Sequence, residues 1–383
     1  MGNSVSDVHV IIVGSGYAGV AAARYLDQKC RVTVIEPSDT FNHKIASLRG
    51  TVVPGWEKRS RIHLDKVLNR GKIIQSEVKS VETGRVTLTD NTVMDCDYVI
   101  LAHGQGRANF PCDFSHDAKT SDALMEKMRS KQKAIANAQS IVVVGGGPVG
   151  VEFAGEIVAQ HPTKKVTIVH RGDRLLNNTS LPLNEKALGK LNKRLLAMGV
   201  EVKLNCKLAD LPALQNGDSF IHDENLTPKT YTLSDNTTIT ADMVIVCVGS
   251  TKKTDNLVPV DVVDDRNQVK VNSDLQVVGM ERVFCVGDAN NIIETKMAYF
   301  AGQQAVLAAK NILLKVSKKS TISYTPMDGN KEFGVMLIPL GPQKGVVAMG
   351  NNAMGDRAAA LFKGKGLFVK RYFSDLNASV PPL

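Results

Sequence analysis

His9-Val-Ile-Ile-Val13 runs into Gly14-Ser-Gly16-Tyr-Ala-Gly19, and Ile141-Val-Val-Val144 runs into Gly145-Gly-Gly147-Pro-Val-Gly150. Each is an apolar strand feeding a glycine-rich turn, followed by an Ala/Val-rich stretch that can open a helix. The first glycine permits the tight turn and the second lets the backbone approach a pyrophosphate. The third lets helix and strand pack closely, with the helix N-terminus facing the phosphates. One such fingerprint is weak evidence, but two in the same strand-turn-helix context are strong. A chain with two dinucleotide sites is expected to pass electrons between two dinucleotides.

The repeat extends past the glycines. Arg31-Val-Thr-Val-Ile-Glu36 follows the first turn and Lys165-Val-Thr-Ile-Val-His170 the second, each reading as the next strand of a βαβ unit. Glu36 lies about 20 residues beyond Gly14, where a ribose-binding carboxylate belongs, so the first site suits the adenosine end of FAD. His170 stands at the corresponding place in the second unit, with Arg171 after it. No carboxylate is there to repel a 2′-phosphate, and Arg171 could pair with one. The second site is therefore expected to take NADH or NADPH. A solvated loop cation is the other reading of Arg171.

Composition agrees. The 383 residues suit two or three domains, and 43% apolar content with 31 glycines is ordinary for an α/β enzyme. No run approaches the roughly 18 apolar residues of a membrane span, and neither a signal peptide nor an Arg-rich transit segment is seen. The six cysteines are scattered singly, with no C-x-x-C and no metal-ligand spacing, so a reducing compartment and no metal are expected. A net charge of +9 attracts anions. The cations are dispersed, apart from small clusters such as Lys58-Arg59-Ser-Arg61, and no aromatic-interleaved basic stripe favours nucleic acid.

Three apolar strands end at glycines: Asp97 to Gly104, Ala241 to Gly249, and Val283 to Gly287-Asp288-Ala289. With the fingerprints they imply a discontinuous FAD domain (1–120 and 250–320), an inserted NAD(P)H domain (121–249) and a small C-terminal α+β domain (321–383). The expected fold class is α/β, with two Rossmann-like domains arranged as in glutathione-reductase-like flavoproteins.

Taken together, these motifs resemble the two-dinucleotide-binding-domain flavoproteins. The resemblance implies that Asp288 hydrogen-bonds the ribityl chain of FAD, although an isolated Gly-Asp is more often a turn. The redox cysteine pair of the disulfide reductases is missing, which disfavours thioredoxin, glutathione and lipoamide chemistry. Over nearly its whole length the chain is similar to the AIF-like NAD(P)H:quinone oxidoreductases of the ferroptosis-suppressor type, which are related to type II NADH dehydrogenases. The matching stretches are Phe41-Asn-His-Lys44-Ile-Ala-Ser-Leu-Arg49, Val142 to Glu156, Val286-Gly-Asp-Ala-Asn290, Lys296-Met297-Ala298-Tyr299-Phe-Ala-Gly302 and Leu361 to Val369.

That resemblance assigns roles by position. Lys44, Arg49, Lys296, Met297 and Ala298 fall among cofactor-binding positions, with Gly249 at the close of the second unit. Glu152, in the first turn after the second fingerprint, orients nicotinamide near the flavin; favourable charge at a helix N-terminus is the structural alternative. Glu156, one turn on, reads as a helix-surface or interdomain charge. The backbone from Lys296 to Gly302 is expected to open a helix toward the isoalloxazine. Tyr299 would line the acceptor pocket, Lys363 would lie near flavin and acceptor, and Phe368 would be a pocket aromatic. For these three, a core aromatic and a basic C-terminal surface are the alternatives.

Two features suggest a membrane surface. Met1-Gly2-Asn-Ser-Val-Ser6 satisfies M-G-x-x-x-[ST], so Gly2 is a candidate for myristoylation. One acyl chain anchors only marginally. Arg357, Lys363, Lys365, Lys370 and Arg371, interleaved with Leu361, Phe362, Leu367 and Phe368, could supply a second signal. The expectation is an FAD-dependent NAD(P)H:quinone oxidoreductase, cytoplasmic and peripheral on a membrane or lipid-droplet surface, with a homodimer allowed. The alternatives are a reductase serving a ferredoxin or ascorbate-radical acceptor, and an AIF-like effector that binds DNA.

Overall fold

The computed structural model describes residues 5–104, 112, 118–177, 183–211, 218–248, 257–326 and 335–383. Its centre is a pair of parallel sheets built to one plan. In the first, His9–Val13 lies between Arg31–Glu36 and Tyr98–Leu101, with Lys72–Gln75 and Val283–Cys285 at the edges. In the second, Ser140–Val144 lies between Lys165–Val169 and Met243–Val246. Val200–Lys203 forms one edge, and the short antiparallel strand Phe220–Ile221 the other. The strands of the second sheet come entirely from chain between Leu101 and Val283.

Strand order reverses at the fingerprint strand in both sheets, which opens a ligand crevice at the carboxyl ends of the strands. His9–Val13 and Ile141–Val144 are wholly buried, as continuous apolar strands of a parallel sheet must be. The helix after the first fingerprint, Tyr17–Asp27, packs on Ala298–Val316. Ala18, Ala22, Ala23, Ala301, Ala305, Ala308 and Ala309 share that interface with Leu26 and Ile312, their small side chains allowing close approach.

A three-stranded antiparallel sheet, Val78–Glu82, Arg85–Leu88 and Val93–Asp95, hangs from the first unit. The C-terminal region begins as a meander, Val335–Leu340, Lys344–Met349 and Asn352–Met354. It ends in the helical turns Asp356–Ala359, Ala360–Gly364 and Val369–Asp375, the middle one a π-helix. The meander is laid against the second fingerprint helix, Pro148–Gln160. A Cβ on Gly155 would meet the Leu340 Cα at 2.6 Å, so only glycine lets this helix and strand touch. Among the described residues no helix is long and apolar enough to cross a membrane.

Candidate functional site

The two glycine turns are superimposable in their logic. Gly14 and Gly145 have φ of +96° and +115°, in the left-handed region. A Cβ on Gly19 would lie 1.9 Å from the Gly14 carbonyl oxygen, and one on Gly150 would lie 2.0 Å from that of Gly145. Around Gly16 and Gly147, by contrast, a Cβ would meet nothing within 4 Å. Each turn thus has a fixed first glycine, a packed third, and a second that borders open space before a helix N-terminus. That is a cradle for a phosphate, and both turns fit a dinucleotide.

The second strands also do matching work. Glu36 Oε2 accepts from the Ser15 backbone N–H at 2.8 Å and the Ser15 hydroxyl at 3.0 Å, and Oε1 accepts from the Ser38 N–H at 3.1 Å. His170 Nδ1 accepts from the Gly146 N–H at 3.1 Å, and its Nε2–H donates to Asn177 Oδ1 at 3.0 Å. The strand-end residue therefore ties down its own glycine turn in both units. His170 is buried, and both its ring nitrogens are engaged in holding this turn. Arg171 is exposed beside it.

The Gly-Asp loop is similarly over-determined. Gln304 Oε1 accepts from the Gly287 N–H and from Asn290 Nδ2, both at 2.8 Å. Lys296 Nζ donates to the carbonyls of Asn290 and Ile292 at 2.9 and 3.1 Å. The helix expected from Lys296 begins instead at Ala298, with Met297 as N-cap, because the Lys296 ammonium is drawn back into this loop. Asp288 is half-buried at the loop's apex, and Tyr299, 55% exposed, projects from the helix's first turn.

Glu152 and Lys363, distant in sequence, are in contact. Lys363 Nζ donates to both Glu152 oxygens at 2.7 and 3.0 Å, and the two side chains are only 14% and 10% exposed. Burial pushes the Glu152 carboxyl above its ordinary value, with the Lys363 charge opposing. One turn further, Glu156 is not a surface charge: it forms a buried ion pair with Arg49 across the two units. The apolar run around it carried that signal, because a helix hydrophobic on all sides must bury its carboxylates against a cation.

Lys44 is exposed in the first turn of the short helix Lys44–Gly50, which presents Arg49 to Glu156. Phe368 is half-buried and caps the last helix at φ +59°. Next to it, Leu367 offers its carbonyl to His43 Nε2 at 2.7 Å, and His43 Nδ1 accepts from the Tyr17 hydroxyl at 2.9 Å. His43 and Tyr17 were not singled out from the sequence; they fix the C-terminal turn to the first fingerprint. Leu361 and Phe362 are 76% and 51% exposed. Gly2 and Gly249 lie outside the described residues.

All six cysteines are free thiols. Burial pushes Cys30 up to about 11 and Cys96 up to about 12, so neither is a ready thiolate. Among the described residues no group of side chains could hold a metal.

Residues 8–305 match the family described as pyridine nucleotide-disulphide oxidoreductase. The apoptosis-inducing factor homolog B of Dictyostelium discoideum is 32% identical over 387 residues, covering 97% of each chain. Ferroptosis suppressor protein 1 of Taeniopygia guttata is 28% identical over 395 residues, covering 100% of each. Among solved structures, the sulfide:quinone oxidoreductase of Aquifex aeolicus aligns with a TM-score of 0.73 at 17% identity. The alignment covers 98% of this chain and 93% of that one, and shows the shared fold.

Proposed function

This chain belongs to the pyridine nucleotide-disulphide oxidoreductase family, and from that premise we propose that it is an FAD-dependent NAD(P)H:quinone oxidoreductase acting without a redox disulfide. The observation that carries the reading is the pair of equivalent glycine cradles, one per sheet, with the Glu152–Lys363 ion pair beside the second. The names of the relatives, among them ferroptosis suppressor protein 1, support it, and the six free cysteines fit a direct route.

Bound FAD would supply the redox chemistry, as acceptor of hydride from reduced nicotinamide and donor of electrons to a quinone. The protein's part is to bind, orient and exclude water. Gly14, Gly16, Gly19 and the following helix N-terminus would hold the FAD pyrophosphate, Glu36 the adenosine ribose and Asp288 the ribityl chain. Gly145, Gly147 and Gly150 would hold the NAD(P)H pyrophosphate, with Arg171 able to meet a 2′-phosphate. Glu152 would orient the nicotinamide from the second turn of its helix, not the first as the sequence suggests, because the helix already begins at Pro148. Lys363 Nζ restrains that carboxylate and brings a positive charge toward the acceptor side, where Tyr299 and Phe368 would border the quinone.

Exposed Leu361 and Phe362, flanked by Lys365, Lys370 and Arg371, support docking on an anionic membrane from which a quinone could enter. A myristoylated Gly2 would strengthen it. The test is turnover in detergent: a short-chain ubiquinone should be reduced at the expense of NADH or NADPH, and faster than ferredoxin or ascorbate radical. Preference for either other acceptor, or salt-dependent DNA binding without quinone turnover, would overturn the reading.

A further inference from the structure

Four charged side chains from three separate parts of the chain converge at one buried point. Arg49 gives Glu156 a two-pronged contact, Nε to Oε2 at 2.8 Å and Nη2 to Oε1 at 2.7 Å. These side chains are 2% and 3% exposed. Glu152 stands four residues earlier on the same helix, hence on the same face, and holds Lys363. Arg49 Nη1 also reaches the Lys365 carbonyl at 3.5 Å, so the segment carrying Lys363 is gripped twice. The Arg49 guanidinium lies 4.7 Å from the centre of the Trp56 ring, and Arg59 lies 5.1 Å from it.

We propose that Arg49 and Glu156 are positioning residues for Glu152 and Lys363, setting how the nicotinamide-side helix meets the first unit and the C-terminal segment. The proposal deepens the functional reading above and rests on it. A buried ion pair adds little stability over a well-packed apolar pair, but its forked geometry fixes both separation and rotation. Two carboxylates one turn apart repel, and each needs its own cation. With Glu156 neutralised, Arg49 would be left buried without a counter-charge. It would turn to Glu152 and displace Lys363. Both the Arg49 and the Glu156 charges already act on Glu152.

Glu156→Gln tests this in the flavin-loaded full chain, by rapid mixing with NADH. The flavin should be retained and the nucleotide Kd should stay within about two-fold, while the limiting rate of flavin reduction falls by roughly ten-fold or more. Combined with Lys363→Met, it should slow the reaction no further than the slower single variant, because both act through one carboxylate. Trp56, the only tryptophan, supplies a readout independent of turnover: its emission should shift as the guanidinium moves. An unchanged limiting rate, independent multiplication of the two effects, or an unchanged Trp56 emission overturns the assignment. Should Glu156→Gln lose its flavin, the charge-conserving Glu156→Asp is measured instead, and a wild-type rate there overturns it as well. A wild-type protein whose flavin NADH and NADPH both fail to reduce defeats the functional reading itself. Equal rates in wild type and variant defeat only the positioning role.

Discussion

His43 shows how one buried side chain makes stability depend on pH. Burial lowers its pKa from 6.5 to about 4, with the bond to Leu367 O opposing. The folded chain therefore favours the neutral ring. The resulting stability is present above pH 6.5 and is lost as pH falls through about 4. The full effect is on the order of 3 kcal/mol. His103, also lowered to about 4 by burial, acts in the same direction. Urea unfolding at neutral pH and near pH 4.5 should show a marked loss for wild type and a distinctly smaller one for His43→Gln. Parallel losses would remove His43 from the account. Neither the burial of His43 nor that of Glu156 was assigned from the sequence. For Glu156 the apolar helix around it gave the clue; for His43 the partner is Leu367, far along the chain, and no local pattern announces it.

At the level of elements, the strand-turn-helix units were legible because their rules are local. Apolar runs of about five residues, glycines at fixed offsets and an Ala-rich helix follow from backbone geometry within about 30 residues. The structure separates the duties of those glycines. Gly16→Val should give a folded but colourless protein, since the added side chain enters open space that the pyrophosphate would fill. Gly19→Ala should instead lose stability, by about 1–3 kcal/mol or more, because its Cβ collides with the Gly14 carbonyl. Visible absorbance and thermal melting of the two proteins distinguish the effects, and a yellow Gly16→Val would contradict the cradle. The helix starts at Ala298, two residues after Lys296, because the lysine is captured by carbonyls of the preceding loop. The π-turn at Ala360–Gly364 and the left-handed Leu367 and Phe368 have no sequence signature of comparable strength.

Across the whole molecule, the two sheets with reversed strand order were foreseeable from the duplicated fingerprint. How they meet was not, because the contact depends on which of residues 49, 152, 156 and 363 pair with one another, and no local pattern gives the pairing. The resemblance located Glu152 and Lys363 separately, and the fold joins them. In the proposed function electrons cross directly between two bound dinucleotides, with the six buried or half-buried thiols as spectators. Stopped-flow mixing of the thiol-alkylated protein with NADH or NADPH, followed by a short-chain ubiquinone, tests that claim most directly. The flavin should bleach and then recolour at the rates of the untreated protein. A folded protein that holds no flavin, a flavin that neither nucleotide bleaches, or transfer abolished by alkylation would contradict it.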